Sequence, residues 1–273
     1  MVDENISGTD EVLLKCENLT KLYTSGLIRT KIVTGAKDIT FDIKRGEIVS
    51  LAGESGSGKS TVAKMILRLL RPTSGDIILN GRSILSYDIR EYYKQVQAVF
   101  QDPYSAFNPF YKVDHVIDRA FGLREDDLDA DERRETIDST FRSIGLNPSE
   151  VLGRYPHELS GGQMQRLLIG RSLLIGSRLL IADEPTSMID ASTRAGVLNL
   201  LLSLRKEKNL SVLFITHDIG QAQYVSERVL IMKEGEIVEQ GSVHDVFTNP
   251  EHPYTKELLA AVPSLYEKWD EMA

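Results

Sequence analysis

Residues 50–70, SLAGESGSGKSTVAKMILRLL, constrain the fold more than any other stretch of the chain. Ile48, Val49, Ser50, Leu51 and Ala52 read as a short strand buried on both faces. From Lys59 onward Val62, Ile66, Leu67, Leu69 and Leu70 recur at helical spacing. Between strand and helix, residues 53–60 fit G-x-x-x-x-G-K-[ST]. Gly53, Gly56 and Gly58 let the backbone curl without Cβ clashes, so that its N–H groups, with Ser55 among them, converge on an anion. The helix that begins near Lys59, with Ser60 and Thr61 in its first turn, adds its positive end. This pattern predicts a phosphate cradle in which Lys59 reaches the β- and γ-phosphates and the Ser60 hydroxyl ligates Mg²⁺.

A cradle of this kind needs an acid for the metal. The run RLLIADE, residues 178–184, supplies an apolar strand suited to a parallel sheet, ending on Asp183 and Glu184. Asp183 is placed to hold Mg²⁺, and Glu184 to orient or deprotonate a water. A third strand, SVLFITHD (211–218), ends on His217. The residues alone leave His217 open between a structural role and contact with a γ-phosphate or attacking water.

Residues 155–175, YPHELSGGQMQRLLIGRSLLI, hold a second helix start: Ser160 as N-cap, Gly161 and Gly162 exposing the first amides, then Gln163 and an apolar helix. One nucleotide needs one cradle. The second is accounted for if it grips the γ-phosphate of a nucleotide held by another subunit.

GESGSGKST, LSGGQ, LLIADE and the His217 strand, in this sequence, together resemble the nucleotide-binding subunit of an ABC transporter over residues 11–262. The resemblance implies an α/β, P-loop NTPase fold: a RecA-like core sheet with an antiparallel β subdomain and an inserted α-helical subdomain. It implies a core over 11–102 and 163–245, a helical subdomain over 103–162 with the signature motif at its end, and a C-terminal extension over 246–273. It implies ATP hydrolysis with Glu184, His217 and Gln101 in the catalytic set, and Mg²⁺ held by Ser60, Gln101 and Asp183. Tyr23 falls where the family stacks an aromatic on adenine, with Tyr92 and Tyr93 as poorer candidates. Nucleotide contacts are implied for Gly53, Ser55, Gly56, Gly58, Lys59, Ser60 and Thr61, for the signature residues Ser160, Gly161, Gly162 and Gln163, and for Asp190 in a loop that crosses the dimer interface. Met188 and Ile189 in that loop depart from the family's usual alanine and leucine.

VFQDPYSAFNP (99–109) and the tail NPEHPYTKELLAAVPSL (249–265) resemble the ATPases of the peptide/nickel importer group, which also takes di- and oligosaccharides. The resemblance implies as partners a second ATPase subunit, identical or not, two transmembrane permeases and, indirectly, an extracytoplasmic solute-binding protein, with the chain at the cytoplasmic face of the membrane.

Composition agrees with this reading. Lys and Arg number 32 against 40 Asp and Glu, a net charge of −8, which argues against a nucleic-acid surface. No apolar run reaches the length of a membrane span, and the acidic N-terminus is unlike a signal peptide. Cys16 is the one cysteine, so there is no internal disulfide or multi-cysteine cluster, and a reducing compartment is expected. The remaining pattern predicts short strands up to residue 46, a phosphate-loop helix that stops at residues 71–75, helices over 113–121 and 131–144, and a hairpin at Glu234-Gly235. The acids at Asp127, Asp129 and Asp131 read as a solvated helix start; Glu132 and Asp138 replace the glycine and glutamate a calcium loop requires.

Overall fold

The computed structural model describes residues 11–25, 31–124, 126 and 128–261. The acidic N-terminus, Asp127 and the tail beyond Ala261 lie outside them. The chain opens on two antiparallel strands, β1 (Val12–Ser25) and β2 (Lys31–Lys44). These are long where the pattern predicts short strands. Their register slips on either side of Leu19, and Asn18 and Asp38 adopt left-handed φ of 47° and 51°, so a continuous ladder loses its alternation.

β3 (Ile48–Ala52), buried at all five positions, leads through the phosphate loop into α1 (Lys59–Ile66). This helix stops before the predicted end: Arg68 turns left-handed, the amides of Leu69 and Leu70 both donate to the Lys64 carbonyl, and Leu69 faces solvent. β4 (Ser74–Leu79) and β5 (Arg82–Ser83) follow, then α2 (Ile89–Gln95) and β6 (Val96–Val99). From there to the next strand the described chain is helical: α3 (Asp114–Phe121), α4 (Ala130–Ser143), α5 (Pro148–Val151) and α6 (Gly161–Ile175). Asp129 and Glu132 form a reciprocal cap on α4, so the acidic run does start a helix.

The last third alternates: β7 (Leu179–Asp183), α7 (Ala191–Lys208), β8 (Ser211–Thr216), α8 (Ile219–Val225), β9 (Arg228–Lys233), β10 (Glu236–Ser242), α9 (Val243–Thr248) and α10 (Pro253–Ala260). Positive φ at Glu234 and Gly235 closes the β9–β10 hairpin as predicted. No described helix is long and apolar enough to cross a membrane.

Two sheets result. One is antiparallel, ordered β2-β1-β4-β5; the other is ordered β10-β9-β3-β8-β7-β6 and parallel except at β9–β10. Side chains of the central strands alternate between two cores. Leu180, Ala182, Val212 and Phe214 pack with the helices α3, α4, α6 and α7. Leu179, Ile181, Leu213 and Ile215 pack with α1 and the antiparallel sheet. Apolar side chains on both faces explain why these strands read as unbroken hydrophobic runs. β3, β7 and β8 are parallel neighbours, so the loops at their C-terminal ends open at one edge, where an α/β sheet binds its ligand.

Candidate active site

Phosphate-loop geometry follows from its glycines. Gly58 holds φ of 110°, and a Cβ there would lie 2.4 Å from the Gly35 carbonyl oxygen. Only glycine fits. Lys59 is 5% exposed, and its ammonium donates to the carbonyls of Gly53 and Glu54, both at 2.7 Å. Burial pulls the Lys59 pKa down, opposed by the charges of Glu184, Asp183 and Glu54. The cation is thus held inside the loop, already stripped of much of its water.

Ser60 Oγ donates to Asp183 Oδ1 at 3.5 Å, bringing the two predicted metal ligands together. Burial pushes the Asp183 carboxyl above its ordinary value, and the neighbouring Glu184 charge adds to the shift. A hydroxyl beside a desolvated carboxylate is a hard-oxygen pair suited to Mg²⁺.

Glu184 follows β7 with a left-handed φ of 49°, sparsely populated for a residue with a side chain. Its N–H donates to the Ile215 carbonyl on β8 at 2.9 Å and its carbonyl accepts from Ser187 N–H at 3.2 Å, which secures the turn. Glu184 Oε1 lies 2.9 Å from His217 Nδ1. The histidine left open by the sequence faces the predicted water-activating carboxylate. A cavity of about 120 Å³ adjoins both and is lined also by Thr186, Arg194 and Gln221, room for a few waters. A larger concavity, about 950 Å³ beside α4 and α5, contains none of these groups.

Tyr23 lies over Gly35, where a Cβ would meet its ring at 2.4 Å, and its hydroxyl is 3.4 Å from Thr61 Oγ1, at the start of α1. Tyr92 and Tyr93 are excluded as adenine platforms. Their hydroxyls donate to the carbonyls of Ile66 and Leu67 at the end of α1, and Tyr92 is fully buried. Gln101 is exposed, just past β6, which pairs with β7 as far as Val99 and Ala182. Among the described residues its side chain makes no hydrogen bond to Ser60 or Asp183.

The signature residues are organised within the chain as a helix start. Gln163 N–H donates to Ser160 Oγ at 3.2 Å, and Ser160 N–H donates to Gln163 Oε1 at 2.9 Å. Gln163 therefore closes the cap of α6. A Cβ at Gly162 would lie 2.4 Å from the Thr193 methyl, so this helix start rests directly on α7. Ile189 is buried below Gly161 while Met188 is 62% exposed, so the two departures from the family pattern fall on opposite sides of the loop. No hydrogen bond or ion pair among the described residues joins residues 160–163 to 53–61. Tyr104, which the sequence pattern does not single out, donates its hydroxyl proton to the Leu159 carbonyl at 2.8 Å, across 55 residues.

Asp190 N-caps α7, accepting from Thr193 N–H at 2.9 Å, from Thr193 Oγ1 at 2.8 Å and from the Ser192 hydroxyl. Within the chain its carboxylate is occupied by the cap. The Ser192 and Thr193 hydroxyls hold its pKa at about 2, against an ordinary 3.8. A carboxyl whose pKa falls on folding adds stability that is full above the unfolded value and lost as pH drops through the folded one. The stability gap between wild type and Asp190→Ala in urea denaturation is therefore expected to be constant above about pH 5 and to close towards pH 2. A gap that is independent of pH would show that the ionised carboxylate contributes nothing.

Comparisons with known proteins identify the family of the chain. The ABC transporter family profile matches residues 36–187, and that of the oligopeptide/dipeptide transporter C-terminal region matches residues 238–273. The oligopeptide transport ATP-binding protein OppF of Bacillus subtilis is 39% identical over 93% of this chain and 83% of its own length. The putrescine export system ATP-binding protein SapF of Escherichia coli is 37% identical over 92% and 93%. Among solved structures, a dimeric ATP-binding cassette, MJ0796, in a post-hydrolysis state bound to ADP and Pi, superimposes with a TM-score of 0.74 at 30% identity, covering 85% of this chain and 99% of that one. The cbiO1 component of the Clostridium perfringens transporter complex cbiONQ does so with a TM-score of 0.75 at 29% identity, covering 93% and 97%. With its phosphate loop, its Asp183–Glu184 pair and the signature helix in one α/β framework, the chain belongs to the ABC transporter family and is one of its ATP-binding, ATP-hydrolysing subunits.

Proposed function

We propose that this chain powers the uptake of oligopeptides or dipeptides as a peripheral subunit on the cytoplasmic side of two membrane permeases fed by a solute-binding protein. The match of residues 238–273 to the oligopeptide/dipeptide transporter C-terminal region carries the choice of cargo. In this reading residues 103–162 act as the helical arm of the cassette and residues 246–273 as the importer-type extension.

The catalytic cycle follows from the site. ATP stacks its base on Tyr23, and its phosphates enter the cradle of Gly53, Ser55, Gly56, Gly58 and Thr61, where Lys59, kept in place by the Gly53 carbonyl, turns its other donors from the Glu54 carbonyl to phosphate oxygens. Ser60 and Asp183, with Gln101, would hold Mg²⁺, which would neutralise phosphate charge. Glu184, oriented by His217, accepts the proton of the attacking water. Ser160, Gly161 and Gly162 of a second subunit complete the pocket, and Asp190 stiffens the loop between the halves through its cap on α7. Once the γ-phosphate is released, the closed pair loses its shared ligand and parts.

Labelled peptide uptake in cells tests the cargo. Cells lacking this subunit are expected to lose uptake and to regain it with the wild-type chain but not with Glu184→Gln. Intact peptide uptake with lost putrescine efflux would move the reading to the transport named for SapF.

A further inference from the structure

Tyr254, on α10, reaches the phosphate loop from 200 residues away: its hydroxyl oxygen accepts the Glu54 N–H at 3.1 Å. We propose that the C-terminal extension forms one wall of the nucleotide site, with Tyr254 as a positioning residue that sets the orientation of the peptide joining Gly53 to Glu54.

In a trans peptide the N–H and C=O point in opposite directions, and no cis bond occurs among the described residues. The carbonyl of this unit, Gly53 O, accepts from Lys59 at 2.7 Å. One peptide plane is thus pinned on its outer side by the Tyr254 hydroxyl and on its inner side by the cation that serves the phosphates. Without the phenol, the plane can rotate its N–H towards water and turn the carbonyl away from Lys59.

The anchor is rigid. The Tyr254 ring is 4% exposed and packs in one apolar cluster with Ala52, the last residue of β3, and with Ile231 and Val246. The Lys233 ammonium sits 4.6 Å from the ring centroid. His252 caps α10 by accepting the Tyr254 N–H at 3.2 Å, and Glu239 on β10 accepts the N–H groups of Glu251 and His252 at 2.8 and 3.0 Å. Burial raises the pKa of the phenol, which keeps it neutral. On the loop's other flank the Gly235 N–H donates to Ser57 O at 2.8 Å. The cradle is therefore held on one side by α10 and on the other by the β9–β10 hairpin, and a stabilising effect of the seating of α10 on nucleotide binding must be returned equally by nucleotide on α10.

This inference rests on the ATPase reading and is tested in the full-length protein. Tyr254→Phe keeps the buried ring and removes only the hydroxyl. Its dissociation constant for ATP, by titration calorimetry, is expected to rise about 3- to 10-fold, the loss of roughly one hydrogen bond, with the same factor for ADP. In hydrogen exchange, a non-hydrolysable ATP analogue is expected to protect the α10 amides in wild type and to protect them less in Tyr254→Phe, a response that a purely structural tyrosine would not give. His252→Ala, which loosens α10 without touching the loop, is expected to weaken ATP in the same direction. Wild-type affinity in both variants, or α10 exchange that ignores nucleotide, overturns the proposal. A wild-type chain that binds no ATP would instead overturn the ATPase reading itself.

Discussion

Glu184→Gln is expected to lower ATP turnover by about 10²- to 10⁴-fold, as for loss of a general base, while ATP is still bound. The amide keeps the size of the carboxylate and can still meet His217 Nδ1, now 2.9 Å from Oε1, but it cannot accept a proton from water. The phosphate contacts proposed for Lys59 and Ser60 are untouched, so binding energy should remain while the chemical step fails. The subunit pair should therefore accumulate in its closed, ATP-loaded form, seen as a dimer peak in size-exclusion chromatography with ATP and Mg²⁺. Turnover at the wild-type rate in the assembled transporter would remove Glu184 from the chemistry.

Lys59→Ala is expected to weaken ATP binding by about 30- to 100-fold, the loss of a charge-assisted bond inside a partly desolvated pocket. The structure argues for a large effect, because the ammonium is already buried and held by two carbonyls before any phosphate arrives. Little of its desolvation remains to be met on binding. The nucleotide-free fold should nevertheless tolerate the change, because removing a costly buried cation offsets the loss of a donor to the Gly53 and Glu54 carbonyls. Thermal unfolding is expected to show a near-normal midpoint without ATP and no upward shift with it. A normal shift with ATP would sink the role of Lys59. Arginine should not restore binding, since a planar fork cannot replace a compact point charge under the loop.

What the sequence made visible is local. The strand before the phosphate loop, the Asp183–Glu184 pair and the β9–β10 hairpin each lie within a few consecutive residues and obey one periodicity. What it hid depends on backbone turns or on distance. Asn18 and Asp38 put kinks into β1 and β2 that interrupt their alternation, and Arg68 ends α1 early through a left-handed turn that no proline or glycine announces. Ser160 and Asp190 carry polar side chains whose partners are amides three residues on, so a binding pattern and a helix-cap pattern coincide there. Tyr104 and Tyr254 find their partners 55 and 200 residues away, a separation at which no spacing rule operates.

The Tyr104 hydroxyl on the Leu159 carbonyl has a mechanical consequence. Leu159 immediately precedes the Ser160 cap, so the short turn just after Gln101 and the start of α6 share one tether. A displacement of that turn by more than about an ångström either snaps a 2.8 Å bond or drags the glycine pair along with it. Tension applied at residues 104–106 would therefore reach the glycine pair at the head of α6 directly, without passing through the phosphate loop.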